Sequence, residues 1–348
     1  MKVDYIIVGD GYAALFFAHQ LIKNQKTFVL YSDAQKSASQ ISAGIINPVV
    51  LKKFTTFWLA AEQISFLSKT LKEIENYTGQ NYQIFENIHR IFHDQKEKEL
   101  WLSKSVTHNL APFLSKNFEN LDTVRNPFGA GKVENSSRLN VEDFFSDLNR
   151  CLQKKGYLRA EKFDYAQLHG LSYKEISCKN IVFCEGMSVL HNRFFKDIPV
   201  IPNKGHHLKV KLSVKPENDF TIKKKHFLLP LKNGLHYYGG TYDPIGRENE
   251  VDDIATQQLI DGLSEFYPHP FEVVEVNYGF RPTVKDRRPI LGSHTEFPNY
   301  FVFNGLGARG ILNGCYFAAQ LFNHIENGTV LMPEVDLKRF EQQKFIRL

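Results

Sequence analysis

Glycine turns set between apolar strands and apolar helices are the first places in this sequence that could bind and position a reactive group. In "VGDGYAAL", Gly9, Gly11 and Ala14 give G-x-G-x-x-A straight after the strand-like "YIIVG". Gly9 permits a tight turn, Gly11 lets backbone amides approach a pyrophosphate, and Ala14 keeps helix and strand close. Tyr12 and Ala13 then open the helix, whose partly positive N-terminus faces the phosphates. This is a dinucleotide turn in its proper context. The acid that bonds a ribose in such folds falls at the end of the second strand, "TFVLYSD", where Ser32 precedes Asp33. Either Asp33 makes that contact with a small change of register, or Ser32 makes it more weakly; Asp33 as a loop residue capping the next turn is the plain alternative.

The same grammar returns near the other end. "NYFVFNGLGARGIL" runs from an apolar strand through Gly305, Gly307 and Gly310 into an apolar helix, and "KNIVFCEGMSV" repeats strand then glycine at Gly186. Between the ends, apolar spacing predicts a long amphipathic helix over 54–77 ended by Gly79, and a second in "NVEDFFSDLNRCLQKKG" capped by Asn140. "HHLKVKLSV", "HFLLPLKNGLHYYGGTY" and "FEVVEVNYGFRP" alternate as antiparallel strands, with Asn233-Gly234 as a hairpin turn. The fold class expected is α/β: a Rossmann-like nucleotide domain built from discontinuous segments, with an inserted α+β antiparallel-sheet substrate domain. The segments assigned to the first are 1–80, 139–201 and 278–348, and to the second 81–138 and 202–277.

With 348 residues, 43% hydrophobic and 13% aromatic, the chain has ample material for a core. No apolar stretch approaches the roughly 20 residues of a membrane span, and no leader precedes the first strand, so a cytoplasmic protein is expected. Cys151, Cys178, Cys184 and Cys315 form no metal-ligand spacing, which fits reduced thiols and no zinc site. His206 and His207, as strand neighbours, point to opposite faces and cannot easily share a metal; one is expected near the nucleotide domain and the other exposed. A net charge of +5 is spread along the chain, except for Lys223-Lys224-Lys225-His226, read as a solvated turn. The charge permits an RNA partner without requiring one.

Taken together, "VGDGYAAL", "SAGIINP", "YGGTYD", "YGFRPTVKDRRPILG" and "FVFNGLGARGIL" resemble, in order and over nearly the whole chain, the D-amino-acid oxidase and glycine oxidase superfamily of FAD-dependent oxidoreductases. The resemblance implies FAD with its pyrophosphate over Gly9 and Gly11 and its ring between the two domains. Some relatives tether the flavin through a cysteine near the G-x-R-P stretch; residues 278–292 contain none, so FAD is expected to be noncovalent. Ser42, Ala43 and Gly44 are small enough to lie against a flat ring. Gly305, Gly307, Ala308, Arg309, Gly310 and Ile311 bring the positive end of a helix to the charge of a reduced flavin; close helix–sheet packing is the alternative reason for those glycines.

The family's chemistry takes a hydride from the carbon bearing an amine, and it depends on alignment at flavin N5 more than on an acid or base, so no catalytic side chain is assigned. Arg281 matches the arginine that forks onto a substrate carboxylate, unless it pairs with Asp286. Phe227 stands where amino-acid-oxidising relatives carry a tyrosine, which argues against glycine and simple D-amino acids. Tyr238 and Arg309 are further substrate-side candidates, and Tyr237 and His226 could face the cavity. The first function expected is oxidation of a C–N bond in a small or medium amine or amino acid, with oxygen or another acceptor. The second is oxidation of a carboxymethylaminomethyl group on tRNA wobble uridine, as in the oxidase half of a bifunctional tRNA-modifying enzyme. The third is flavin binding without turnover.

Overall fold

The computed structural model describes residues 1–33, 36–216, 220–246 and 248–340. Its first sheet is built from the apolar strands already singled out. Lys2–Val8 lies between Phe28–Tyr31 and Ile176–Phe183, parallel to both. Leu158–Arg159 extends the sheet beyond Phe28–Tyr31, and Tyr300–Asn304 joins Ile176–Phe183, again in parallel. Ile290–Ser293 then closes that edge antiparallel. These strands are covered on both faces, which is why they read as unbroken apolar runs rather than alternations.

Helices α1 (Tyr12–Lys23) and α6 (Gly310–Asn327) pack side by side on one face. Their close approach needs glycine: a Cβ on Gly310 would stand 2.8 Å from the Tyr12 ring, and one on Gly314 3.2 Å from Tyr12 Cβ. Every residue of α1 from Tyr12 to Leu21 is buried, because sheet, α6 and α4 (Val141–Lys154) enclose it. Asn140 caps α4 by accepting from the Asp143 amide.

Helix α2 is Ala60–Thr78, shorter than the 54–77 expected, and Gly79 ends it in the left-handed region at φ +74°. Residues 54–59 are not its first turn. Thr55–Thr56 pairs with Val49–Val50, Phe54 packs edge-on against Trp101, and Trp58 stacks on Phe317. Two aromatic anchors on different neighbours imitated helical spacing. Helix α3 (Gln95–Lys104) buries only Trp101, and α5 (Asp253–Phe266) buries Leu259, Gly262, Leu263 and Phe266; neither was expected.

The second sheet has eight strands, in the order Phe271–Thr283, Ile201–Leu212, His236–Gly239, Phe227–Pro230, Thr221–Lys223, Ile88–Ile91, Ala130–Val133, Leu114–Glu119. Asn233 and Gly234, both at positive φ, turn the hairpin between its third and fourth members. Phe271–Thr283 runs unbroken through the expected boundary at 277/278, because it pairs with Ile201–Leu212 along its whole length.

Direct pairing sorts the side chains of this sheet by face. Arg281 opposes Asn203, Gly279 opposes Gly205, His207 opposes Gly239, and Gly239 opposes Phe227, which opposes Lys223. All therefore share one face, and Tyr237, two residues from Gly239, shares it too. That face meets segment 38–41: a Cβ on Gly279 would stand 2.5 Å from Ile41 Cδ1. The opposite face carries Leu208, Leu228 and Tyr238 into the core covered by α5.

Candidate functional site

Gly9 sits at φ +115°, where any side chain is strained, and an added Cβ would lie 2.3 Å from the Cys184 carbonyl oxygen. Its amide donates to the Tyr31 carbonyl, and the Cys184 amide to that of Val8. Three parallel strands thus end together around this glycine, which is the crevice where open α/β sheets bind ligands. Helix α1 begins at Gly11 with no side-chain cap and no acid in its first turn. Its amide end is suited to an anion; the Tyr12 amide makes only a 3.3 Å contact to Ser39 Oγ.

The side chains behind this turn have packing roles. Tyr12 is buried between α1 and α6, with its hydroxyl 2.8 Å from Ser42 Oγ, and burial raises its pKa. Ala13 and Ala14 are buried as well, so these three residues can reach a phosphate only through backbone amides. Ser32 is buried and donates to Asp10 Oδ2 at 2.6 Å, whereas Asp33 is exposed. Asp10, the residue between the two fingerprint glycines, was missed by the sequence reading, although its position in "GDG" was the available signal. Burial raises its pKa, opposed by the Ser32 hydrogen bond.

Gly186, just after Ile176–Phe183, has φ +53° and open space where a Cβ would be. Asn304 Nδ2 donates to its carbonyl, and Asn304 Oδ1 accepts from the Gly305 amide, tying the two glycine turns together. The neighbouring Glu185 is half-buried, and burial pushes its carboxyl up to about 7 against hydrogen bonds from Tyr165 and Asn192.

At the second turn the glycines divide by cause. Gly305 (φ +72°) is fixed by packing, since a Cβ would meet Val284 Cγ2 at 2.6 Å, and Gly310 by the Tyr12 ring. Gly307 (φ +57°) instead opens onto free space, beside exposed Ala308. Ile311 is buried in the core beneath. Arg309 places its guanidinium 3.5 Å from the Phe57 ring centre. Gly44, expected to make room for a flat ring, is also fixed by packing: at φ +73° an added Cβ would stand 2.3 Å from the Leu139 carbonyl oxygen. Ser42 and Ala43 beside it are partly exposed.

Arg281 is pinned across the sheet. Its Nη1 donates to Asn203 Oδ1 (3.2 Å) and to the Thr241 carbonyl (3.0 Å). A Cβ on Gly205 would stand 2.4 Å from both Nη atoms, and one on Gly240 2.8 Å from Nη2. The glycines let the arginine lie flat over its neighbouring strand and reach the next. Asp286, the alternative partner, is bound by Arg339 instead. Burial lowers the Arg281 pKa, and no carboxylate pairs with it among the described residues; an acidic ligand would offset that cost.

Tyr238 is a correction. It lies on the far face, fully buried against Phe266, with α5 over it, and cannot line the site. Its neighbour Tyr237 faces the site and stacks on His207 at 4.4 Å. The histidine pair also differs from expectation, because both rings are buried: His206 accepts from the Asp252 amide at the start of α5, and burial holds His207 at about 3. His226 bonds the Gly240 carbonyl. The lysine run is not wholly solvated either. Lys224 pairs with Glu265, while Lys223 turns inward, 4.2 Å from the Phe227 ring centre, with burial lowering its pKa to about 7.

The residues fit FAD. An uncapped helix start at Gly11, open glycine positions at 186 and 307, and a glycine-lined sheet face carrying Arg281 and Phe227 are what a dinucleotide with a buried reactive ring requires. Among the described residues no cluster of metal-binding side chains occurs, and no helix is long and apolar enough to cross a membrane.

Known proteins agree. The chain is 24% identical over 99% of its length to the bifunctional protein ThiO/ThiG of Trichormus variabilis, and 22% identical over 82% of its length to the tRNA 5-methylaminomethyl-2-thiouridine biosynthesis bifunctional protein MnmC of Campylobacter jejuni subsp. doylei. It covers 56% and 45% of those proteins, so it spans about half the length of the curated relatives it matches. Its fold is similar to that of glycine oxidase from Geobacillus kaustophilus (TM-score 0.79, 16% identity, 95% and 96% of the two chains). It is equally similar to iminodiacetate oxidase from Chelativorans sp. BNC1 (TM-score 0.78, 17% identity, 94% and 97%). The model of the FAD dependent oxidoreductase family DAO matches residues 4–323, and the chain belongs to that family, with FAD as its cofactor.

Proposed function

We propose that this protein oxidises the C–N bond of an amine that carries a carboxylate, an N-substituted glycine being the best fit. The observation that carries this reading is Arg281: a partly buried guanidinium, oriented by Asn203 and Thr241, without a carboxylate partner among the described residues, on the sheet face that meets segment 38–41. A planar fork of donors selects a carboxylate bidentately. The likeness to enzymes named for glycine and iminodiacetate supports the same chemistry.

FAD, when bound, supplies the hydride acceptor. The chain supplies placement: the amide end of α1 holds phosphate, the α6 turn with Gly307 offers a positive helix end, and Arg281 orients the substrate. Asp10 and Ser32 are suited to the ribose contact. Phe227 contributes a ring without a hydroxyl, which disfavours the smallest amino acids and leaves apolar surface for an N-substituent. Anaerobic mixing with a panel of amines tests the reading, since loss of the oxidised flavin band with N-substituted glycines, and less with glycine, is expected. No bleaching with any of them would refute it.

A second reading places the N-substituted glycine on a tRNA wobble uridine. The similarity to MnmC and the net charge of +5 favour it.

A further inference from the structure

A cavity of about 230 Å³ is lined by Asn203, Tyr242, Thr283, Lys285 and Arg287, and Asn203 is the residue that orients Arg281. Cations gather beside it. Arg309 lies over Phe57 at 3.5 Å and Arg288 over Trp58 at 4.1 Å, while Arg287 and Lys285 are exposed. Among the described residues, arginine ion pairs are made by Arg90, Arg138, Arg150 and Arg339, and by none of Arg287, Arg288 and Arg309. The one acid in this stretch, Asp286, is occupied: Arg339 bonds one oxygen, and the Arg288 amide the other. The three guanidiniums feel one another, for Arg287 and Arg288 add to burial in lowering Arg309 to about 10. Like charges held together without a protein counter-ion leave room for an anionic ligand to offset their repulsion.

The kind of anion follows from geometry. Arg281 is already available for a carboxylate inside. The outer cluster is partly exposed, so it is open to an anion that approaches from outside. Guanidiniums backed by aromatic rings combine phosphate forks with flat surfaces on which bases stack. We propose that Arg287, Arg288 and Arg309, backed by Phe57 and Trp58, form a docking surface for the phosphodiester backbone of an RNA that carries the oxidisable amine. This rests on the amine-oxidation reading above and extends it to the substrate's carrier.

The test uses the FAD-loaded protein and a fluorescently labelled tRNA transcript, with affinity measured between 50 and 200 mM salt. Binding should weaken steeply with salt. The double variant R287Q/R288Q should lower the slope of log affinity against log salt by about 1.4 to 1.8, on the order of 0.7–0.9 per lost phosphate contact. It should weaken binding by roughly tenfold or more, with FAD content and melting temperature unchanged. An unchanged slope and affinity in the variant would overturn the surface, as would no tRNA binding by the wild type at 50 mM salt. Tight binding of uridine monophosphate without tRNA binding would assign the cluster to a free phosphate ester and overturn the RNA assignment. Flavin reduction by free N-substituted glycines, measured on the same preparation, decides the underlying reading separately.

Discussion

Gly205→Ala probes Arg281, the proposed substrate anchor, without replacing it. The position has no positive φ, so alanine costs nothing in backbone conformation and, by itself, would stabilise a strand by about 0.4–1 kcal/mol. Its Cβ, however, would stand 2.4 Å from Arg281 Nη1 and Nη2, where ordinary contact begins near 3.4 Å. The guanidinium must shift by roughly 1 Å, which takes its 3.2 and 3.0 Å hydrogen bonds to Asn203 and Thr241 out of range. One charged hydrogen bond lost is worth about 1.5–3 kcal/mol, so the misdirected fork should weaken a carboxylate-bearing amine by roughly 10- to 150-fold. Rapid anaerobic mixing gives the dissociation constant from the concentration dependence of flavin reduction. The comparison is between a carboxylate-bearing amine and the same amine without its carboxylate. The preference should collapse in Gly205→Ala and in Arg281→Met, with FAD content intact. A preference equal to that of the wild type in both variants would refute the placement of Arg281.

Further predictions concern cofactor and stability. Gly9→Ala combines a forbidden φ with a 2.3 Å approach to a carbonyl, so it should abolish copurification of FAD and lower the melting temperature, measured by absorbance and thermal denaturation. Asp10→Ala should weaken FAD binding by about tenfold, the value of one charged hydrogen bond, while Asp33→Asn changes it less than twofold; flavin fluorescence quenching reads both, and the reverse order would assign the ribose to Asp33. Lys223, held at about 7 against an ordinary 10.5, is charged in both folded and unfolded chains below pH 7. Its burial penalty is therefore complete there, fades as pH rises from 7 to 10.5, and is absent above. Lys223→Met should raise the melting temperature at pH 6.5, and the gain should vanish towards pH 10.5; a gain independent of pH would contradict the buried charge.

The two ends of the chain were readable because strand, glycine and helix are contiguous there, and the buried parallel strands are apolar throughout. The middle was harder for physical reasons. Helix α3 buries one residue, Trp101, and shows almost no periodicity; α5 has apolar residues at 259, 263 and 266, but its Asp252 cap was the only strong start signal. At the site, adjacent tyrosines 237 and 238 must face opposite ways, yet which one faces in depends on pairing His207 with Gly239, a contact between segments 32 residues apart. Likewise, the apolar spacing of 54–59 cannot distinguish a helical turn from two aromatic anchors on separate partners. Arg281 was singled out as a candidate from its motif, whereas Gly205, which makes room for it, could be recognised only once the strands were paired.

We propose that Arg281 selects an amine bearing a carboxylate for oxidation. Anaerobic reduction of the FAD-loaded protein by N-substituted glycines, against the corresponding amines without a carboxylate and against 2-hydroxy acids, tests it most directly. Rapid bleaching with the N-substituted glycines alone is the result predicted. Bleaching by 2-hydroxy acids, with every amine inert, would contradict it.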